Sequence, residues 1–450
     1  MLGLVPVSFR RPLIGLLTFT WLAYMRPQDL TWGFAKYQRW SFLIAAVMAA
    51  GWLCARERRK LIWNSRTIAM VALVFVIALS VVFEVDTPQA VDTESVASRM
   101  VEFSKIVGVA IFTTALVYKP AHLRILVWVI ALSFAFYGVK SGLAGILGGG
   151  AQIMQGPGGM LEDNNDFAMA LCMGLPFLVQ IGASERKPEL RRAVYFMVPL
   201  TMLTILLTQS RGGFLALGTM TLLLIWRSKN RGAALVGLTL AGAISLFFLP
   251  ASFYERMGTI TTAAQEDGSA KGRLAAWKTA INMAQHRPLT GVGLSKFQSA
   301  YTQYATVEHE TARATHNAYL QMWAECGTIA LALYLFLIVG SFYALWRVRA
   351  RAKQIYSSSW ILNYTAMFEA SLLAFVVGSA FLSRAQFDLF YHLVAIIACF
   401  EAIAFEEMRA AQAPQITTTR GGAFRLVRPA GFARPREHAG FRDGTARQPT

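Results

Sequence analysis

Long apolar runs alternate with short polar or charged segments along most of the chain. A helix needs roughly 20 mainly apolar residues to cross a bilayer, and twelve runs approach that length. Their approximate cores are 12–28, 40–55, 67–84, 101–118, 123–147, 166–183, 193–209, 212–227, 232–250, 327–346, 360–382 and 387–405. The pattern predicts an all-α integral membrane protein with about 12 transmembrane helices.

Basic residues concentrate in every second loop between the predicted helices. The main clusters are RERRK at 56–60, ERKPELRR at 185–192, RSKNR at 227–231 and RVRARAK at 347–353. Loops of the other parity are poorer in basic residues, and EVDTPQAVDTES at 84–95 is acidic. Because loops rich in Lys and Arg stay on the cytoplasmic side, both termini are predicted to be cytoplasmic and the long loop 251–326 periplasmic.

This segmentation divides the chain into four regions. Residues 1–250 hold transmembrane helices 1–9, residues 251–326 form the partly helical periplasmic loop, and residues 327–408 hold helices 10–12. Residues 409–450 form a basic cytoplasmic tail, rich in Arg, Gly, Pro and Thr, which we expect to be disordered. No small-residue cleavage site follows the first helix, so we expect that helix to be retained.

The amino-acid composition and charge indicate which kinds of molecule the protein contacts. Charged residues make up 15% of the chain, against about 25% in soluble domains, and the mean hydropathy is +0.44. The formal net charge of +18 would suit nucleic acid, but it clusters in loops beside the membrane and therefore indicates lipid headgroups. The four cysteines lie in or beside predicted spans, so no disulfide framework is expected.

The periplasmic loop contains its own apolar pattern. GRLAAWKTAINMAQHRPL at 272–289 predicts an amphipathic helix ended by proline, followed by the turn TGVGL and a possible second helix in SKFQSAYTQYA. Its predicted apolar stripe is Leu274, Trp277, Ile281 and Ala284. A loop with apolar faces must pack on something, and we expect it to cover the outer mouth of the helix bundle.

Three arginines are predicted on the outer side. Arg211 lies in the tight turn TQSRGG between two apolar runs, where it fits either a cavity or snorkelling to lipid phosphates. Arg273 precedes Trp277 by one helical turn, and Arg287 directly precedes Pro288. A planar guanidinium suits phosphate oxygens, so these arginines together predict an anion site, although each alone fits a solvated position.

His316 begins HNAYLQMWAECG at 316–327, which leads into the tenth apolar run. In a helix it would share a face with Tyr319, Leu320 and Trp323, and Glu325 would lie roughly half a turn away. An imidazole that titrates near pH 6.5 can act as a general base, and an interfacial anchor is the alternative. Residues 307–311 (VEHET) favour a solvated charge run over a metal site, because neighbouring side chains on a helix diverge.

These residues resemble the O-antigen ligase and polymerase superfamily. The resemblance rests on SRGGFLALG at 210–218, Arg273 with Trp277 followed by RPLTGVGLSKF, and the segment beginning at His316, and it spans roughly residues 1–408. MRPQDL at 25–30 and LEDNNDFAMAL at 161–171 are more specifically similar to putative O-glycosylation ligases found with exosortase A systems.

The resemblance implies an enzyme of the bacterial inner membrane that moves a glycan from undecaprenyl diphosphate to an acceptor hydroxyl on the periplasmic face. It implies His316, Arg211 and Arg273 as catalytic residues, with no cofactor and no metal. Residues expected to contact substrate are Arg287, Asn317, Asn165, Asp166, Glu325 and Trp277. The expected partners are the lipid-linked glycan, an acceptor that is lipid A–core or protein, and the lipid bilayer, but not nucleic acid.

Two alternatives stay open at this stage. A polysaccharide polymerase of the same superfamily would use the same fold and site on a different acceptor. A transporter or flippase of this size usually shows two similar halves, and no repeat relates residues 1–190 to residues 193–405. The first exterior loop offers Asp29 as its one carboxylate, which favours an arginine-based site over a site of paired acids and a divalent cation.

Overall fold

The chain folds into a bundle of helices. A computed structural model describes residues 3–56, 58–86, 96–247, 254, 268–305, 311–357, 359–412, 415–418 and 424–427. The helices before the long loop are α1 (Leu4–Arg10), α2 (Pro12–Tyr24), α3 (Phe34–Tyr37), α4 (Trp40–Cys54), α5 (Ser65–Val82), α6 (Val96–Leu116), α7 (Pro120–Leu147), α8 (Asn164–Ser184), α9 (Pro188–Leu207), α10 (Arg211–Arg227) and α11 (Arg231–Phe247). After it come α12 (Gly268–His286), α13 (Tyr301–Tyr304), α14 (Ala318–Ile355), α15 (Trp360–Ser379), α16 (Asp388–Gln412), β1 (Gln415–Thr418) and β2 (Phe424–Val427).

Each of the twelve predicted apolar runs coincides with a helix. Seven of the described helices are long and apolar enough to cross a membrane: α5, α7, α8, α9, α14, α15 and α16. The apolar helices α2, α4 and α11 (as far as Ile244) are shorter. The helical, multi-pass architecture is confirmed, whereas the number of twelve spans and the location of the termini stay predictions.

Two helices form the interior of this bundle. The most apolar 18-residue windows of α8 and α16 are 83% and 78% buried, against 39% in α5 and α14. Helices α7 and α9 approach closely at Gly142, where a Cβ would lie only 2.5 Å from the carbonyl oxygen of Leu200. Small residues commonly allow such contacts between membrane helices. Because α8 is buried over most of its length, the polar residues at its start lie on a tightly packed helix.

Helix α14 is broken at Gly327, which has φ +83° and ψ 177°. A Cβ there would lie 2.2 Å from the carbonyl oxygen of Leu289, so the position requires glycine both for its backbone conformation and for space. The break frees carbonyl groups in the preceding turn, and the amide of Val292 donates to the carbonyl oxygen of Ala324 at 2.9 Å. The turn after α12 is thereby fitted into the break in α14.

The predicted apolar stripe of α12 is partly wrong. Leu274 is 51% exposed, whereas Ala276, Ala280 and Met283 are fully buried against α14 and the turn that follows α12. Alanine allows the two helices to approach, so the small residues form the contact face and the larger leucine faces outward. Only Tyr301–Tyr304 of the possible second helix is helical.

Of the tail, the structure describes residues 409–412, 415–418 and 424–427, and the expected disorder stays a prediction. Helix α16 continues to Gln412, beyond the expected boundary at 408. Strands β1 and β2 then pair antiparallel, with Gln415 opposite Val427. Isoleucine, valine, phenylalanine and threonine in these strands have high β propensity, which the tail's overall composition obscured.

Candidate active site

Several chain segments meet at one end of the bundle, which we call the loop end. Helices α8, α10, α14 and α16 begin there, and the connection between α15 and α16, residues 380–387 (AFLSRAQF), crosses it. The described part of the long loop, including α12, packs on the same end through α14. All the residues predicted to be catalytic lie in these segments.

His316 precedes helix α14 and does not belong to it. Its backbone has φ +45°, and Asn317 caps the helix by accepting hydrogen bonds from the amides of Tyr319 and Leu320 at 3.0 and 3.1 Å. The predicted face shared by His316, Tyr319, Leu320 and Trp323 is therefore wrong, because asparagine at 317 satisfies the free amides of the first turn and starts the helix there.

Two side chains hold the backbone around His316. The amide of His316 donates to Ser383 Oγ at 2.6 Å, and the same hydroxyl lies 3.0 Å from Thr315 Oγ1. From the other side, Trp277 Nε1 donates to the carbonyl oxygen of Thr315 at 2.9 Å. Helix α12 and the 380–387 connection thus fix the residue before His316 and the backbone of His316 itself.

A cavity of about 470 Å³ opens beside this histidine. Its lining residues are Gly272, Arg273, Gln298, Thr311, Arg313, Ala314 and His316. Among the residues that the structure describes, this lining contains two arginines and no carboxylate, so their charge favours an anion. Gly272 makes room for one of them, since a Cβ there would lie 2.3 Å from Nη1 of Arg313.

The surroundings of His316 favour the neutral imidazole. Partial burial lowers the pKa of His316 below its ordinary value, and the positive charge of Arg273 lowers this pKa further, while Asp163 acts in the opposite direction. Asp163 caps α8, accepting from the amides of Asn165 and Asp166 at 2.8 and 3.3 Å. A neutral histidine is the form that a general base requires.

Arg211 is the first residue of α10 and is half-buried, but it does not belong to the lining of the cavity. The start of this helix is tightly packed, because a Cβ at Gly212 would lie 2.8 Å from Cβ of Phe381. Phe381 belongs to the connection that also carries Ser383. Arg211 is therefore placed at the loop end, in the helix that supports this connection.

Asp166 and Arg384 form an ion pair that sequence reasoning assigned incompletely. Asp166 is 2% exposed and accepts a hydrogen bond from Nε of Arg384, whose side chain is 39% exposed. Asp166 is thus paired with an arginine from the 380–387 connection, and its contact with substrate stays a prediction. The neighbouring Asn165 donates through Nδ2 to Asp163 Oδ1 at 3.0 Å.

The structure places two other predicted contact residues in the scaffold of the loop. Arg287 donates to the carbonyl oxygens of Gly291 and Phe83 at 2.9 and 2.6 Å, which ties the turn after α12 to the end of α5. Glu325 is 2% exposed and accepts hydrogen bonds from the amides of Ser295 and Phe297. Neither side chain lines the cavity. Residues Glu308, His309 and Glu310 of the VEHET segment lie outside the described residues.

Sequence reasoning missed Arg313, Ser383 and Arg384. A signal existed for Arg384, since FLSRAQF places an arginine in a short connection between two apolar runs, as TQSRGG does for Arg211. Ser383 carried no comparable signal, because its role arises from a contact with a residue that is 67 positions away.

Two family models match parts of the chain. Residues 196–335 match the family described as O-antigen ligase, and residues 1–167 match a family of unknown function (DUF5935). No curated protein matches the sequence. The first match confirms the resemblance to the O-antigen ligase superfamily and covers Arg211, Arg273 and His316, whereas the association with exosortase systems stays a prediction. Residues 380–387 lie outside both matched regions.

Proposed function

We propose, taking the O-antigen ligase region as the premise, that the protein is a membrane glycosyltransferase. It transfers a glycan from a polyprenyl diphosphate, by expectation undecaprenyl diphosphate, to an acceptor hydroxyl. One observation carries the proposal: His316 and Arg273 line the same cavity, and both lie within the matched region. The membrane helices and the family both fit a lipid-linked donor.

The arginines serve the leaving group. When the bond between the anomeric carbon and the diphosphate oxygen breaks, its electron pair stays on the diphosphate, whose negative charge increases. Preorganised cations that face such a charge stabilise the transition state, and a guanidinium matches phosphate oxygens with two parallel donors. We assign this role to Arg273 in the cavity wall. Arg211 does not line the cavity, and we assign it a longer-range contribution to the same charge from the start of α10.

His316 serves the acceptor. The hydroxyl oxygen attacks the anomeric carbon from the side opposite the departing diphosphate, and its proton passes to the neutral imidazole. The new carbon–oxygen bond forms as the bond to diphosphate breaks, so a single displacement inverts the anomeric centre. Proton transfer of this kind typically contributes about 10²–10⁴ in rate. The scheme assigns no role to a metal ion or cofactor.

The side of the membrane follows from the charge pattern. Basic clusters flank the opposite ends of the spans, at 56–60, 185–192 and 347–353, so the positive-inside rule directs the loop end to the periplasm. The enzyme then belongs to the bacterial inner membrane. Its acceptor is lipid A–core or a secreted protein, and a growing glycan would make the same site that of a polymerase.

The test uses purified full-length protein in detergent with undecaprenyl diphosphate-linked glycan. Lipid A–core, a threonine-rich secreted protein and a second lipid-linked glycan are each supplied as acceptor, and released undecaprenyl diphosphate is measured with and without EDTA. We expect release with one of the three acceptors, unchanged by EDTA. If none of the acceptors is glycosylated, the proposed function fails.

A further inference from the structure

We infer that Ser383 is a positioning residue for His316 and that the connection 380–387 completes the active site from outside the family-matched regions. The geometric part of this inference, that Ser383 fixes the backbone of His316, is independent of the reaction. The catalytic part rests on the proposed function, in which His316 is the base.

The backbone of His316 needs such support. Its φ of +45° lies in the left-handed region, which residues with a Cβ adopt rarely and at an energetic cost. Conformations of this kind persist where surrounding contacts determine them, and they cluster at functional sites. Outside a helix, the amide of His316 also has no partner from a regular hydrogen-bond ladder, so another group must satisfy it.

Ser383 supplies that group. Its Oγ accepts from the His316 amide at 2.6 Å and lies 3.0 Å from Thr315 Oγ1. Thr315 is only 1% exposed, whereas His316 and Ser383 are half-buried, so the hydroxyl of Ser383 serves two groups in consecutive residues at the edge of the cavity. A methyl group in its place would remove the protein partner of the amide and of the buried Thr315 hydroxyl, and such a loss is costly.

The connection that carries Ser383 is itself fixed on both sides of this residue. Phe381 packs on the start of α10, where Gly212 leaves space for it. Arg384 pairs with the buried Asp166 at the start of α8. Through these contacts, Ser383 holds the backbone of His316 in place relative to α8 and α10. Trp277 fixes Thr315 from α12.

A positioning role predicts a specific kinetic pattern. Displacing a catalytic group by about 1 Å can reduce the rate about 100-fold, and the lipid donor should still bind because the cavity arginines are unchanged. We expect Ser383→Ala to lower kcat for glycan transfer about 100-fold with KM for the donor nearly constant. Ser383→Thr keeps the hydroxyl and should restore most of the activity.

Ser341→Ala is the matched control. Its hydroxyl is buried and donates to the carbonyl oxygen of Leu337 within α14 at 2.7 Å, well away from His316. The Ser341→Ala variant loses the same hydroxyl oxygen as Ser383→Ala and should retain wild-type kcat. Full kcat in Ser383→Ala, or equal losses in the alanine and threonine variants, would overturn the positioning role.

A second measurement separates this inference from the proposed function and from misfolding. The chain has six histidines, and NMR of ring-labelled histidine in the full-length protein identifies His316 as the signal missing from His316→Asn. In Ser383→Ala that signal alone should shift or broaden, while Ser341→Ala should leave it in place. An unmoved His316 signal contradicts the inference even if no glycan transfer is ever detected. A change in all six signals indicates general unfolding and likewise contradicts a local positioning role.

Discussion

The two ends of α14 hold arginines in opposite chemical settings. Near its C-terminal end, Arg349 donates to both carboxylate oxygens of Glu369 at 3.1 and 2.8 Å, and Arg227 approaches the same carboxylate at 2.9 Å. Before its N-terminal end, Arg273 and Arg313 line a cavity whose described wall also contains a histidine. The ion pair at the C-terminal end holds helices together, whereas the positive charge gathered on the cavity wall favours an incoming anion. Each prediction below changes one side of this contrast.

The largest effect is expected at His316. Asparagine adopts the left-handed backbone conformation more readily than other residues with a Cβ, so His316→Asn should keep the local fold and remove the base. Glycan transfer should fall about 10²–10⁴-fold, while the melting temperature stays near that of the wild type. Wild-type turnover by His316→Asn would sink the assignment of the general base.

Loss of the Glu369 carboxylate at the C-terminal end of α14 should lower stability and leave turnover unchanged. Glu369→Leu leaves two arginines without their shared carboxylate, and breaking a buried ion pair typically costs about 3–5 kcal/mol. Thermal unfolding in detergent should show a lower melting temperature, with unchanged transfer per folded molecule. The control is Arg351→Ala at an exposed residue, with an expected change within about 0.5 kcal/mol. Lost turnover in fully folded Glu369→Leu would mean that this end also takes part in catalysis.

A smaller effect is expected from the glycine that accommodates Arg313. Gly272→Ala keeps every charge but pushes the guanidinium of Arg313 away, since the new Cβ would lie 2.3 Å from Nη1. The KM for the lipid donor should rise about 10-fold, the effect of losing about 1.4 kcal/mol of binding, and Arg313→Gln should behave similarly. An unchanged KM in both variants would remove Arg313 from the anion site.

The smallest effect is a pair of opposite shifts in pH dependence. A general base works when deprotonated, so the rate falls as pH drops through the pKa of His316. Arg273 lowers this pKa and Asp163 raises it. Arg273→Gln should therefore move the acid limb of the kcat/KM profile to higher pH, and Asp163→Asn should move it to lower pH. Asparagine is as good a helix cap as aspartate, so α8 should be preserved, and shifts of the same sign in both variants would contradict the assignment.

The helices were well predicted because each depends on its own continuous run of apolar residues. A run of apolar residues long enough to cross a membrane determines its own backbone hydrogen bonds, and all twelve predicted runs coincide with helices. The contact face of α12 was harder to predict, since hydrophobicity favoured Leu274 whereas close approach to α14 required Ala276 and Ala280.

The candidate site was only partly predictable for a related reason. Arg273 and His316 could be identified from their motifs, and the cavity does contain both. The contact of Ser383 with the His316 amide depends on how helices pack, and no local pattern encodes it. The capping role of Asn317 was available from the sequence, because asparagine before an apolar helix commonly satisfies its first free amides, but its place in the motif drew attention to substrate contact.

The break at Gly327 joins α14 to the turn after α12 on both of its sides. The carbonyl oxygens of Ala324 and Glu325 accept from the amides of Val292 and Gly293, and beyond the break the amide of Thr328 donates to the carbonyl oxygen of Pro288. The turn is thus bonded to both parts of the interrupted helix. A glycan that displaced α12 would therefore act on both parts of α14 at once, at the point where the helix is already interrupted.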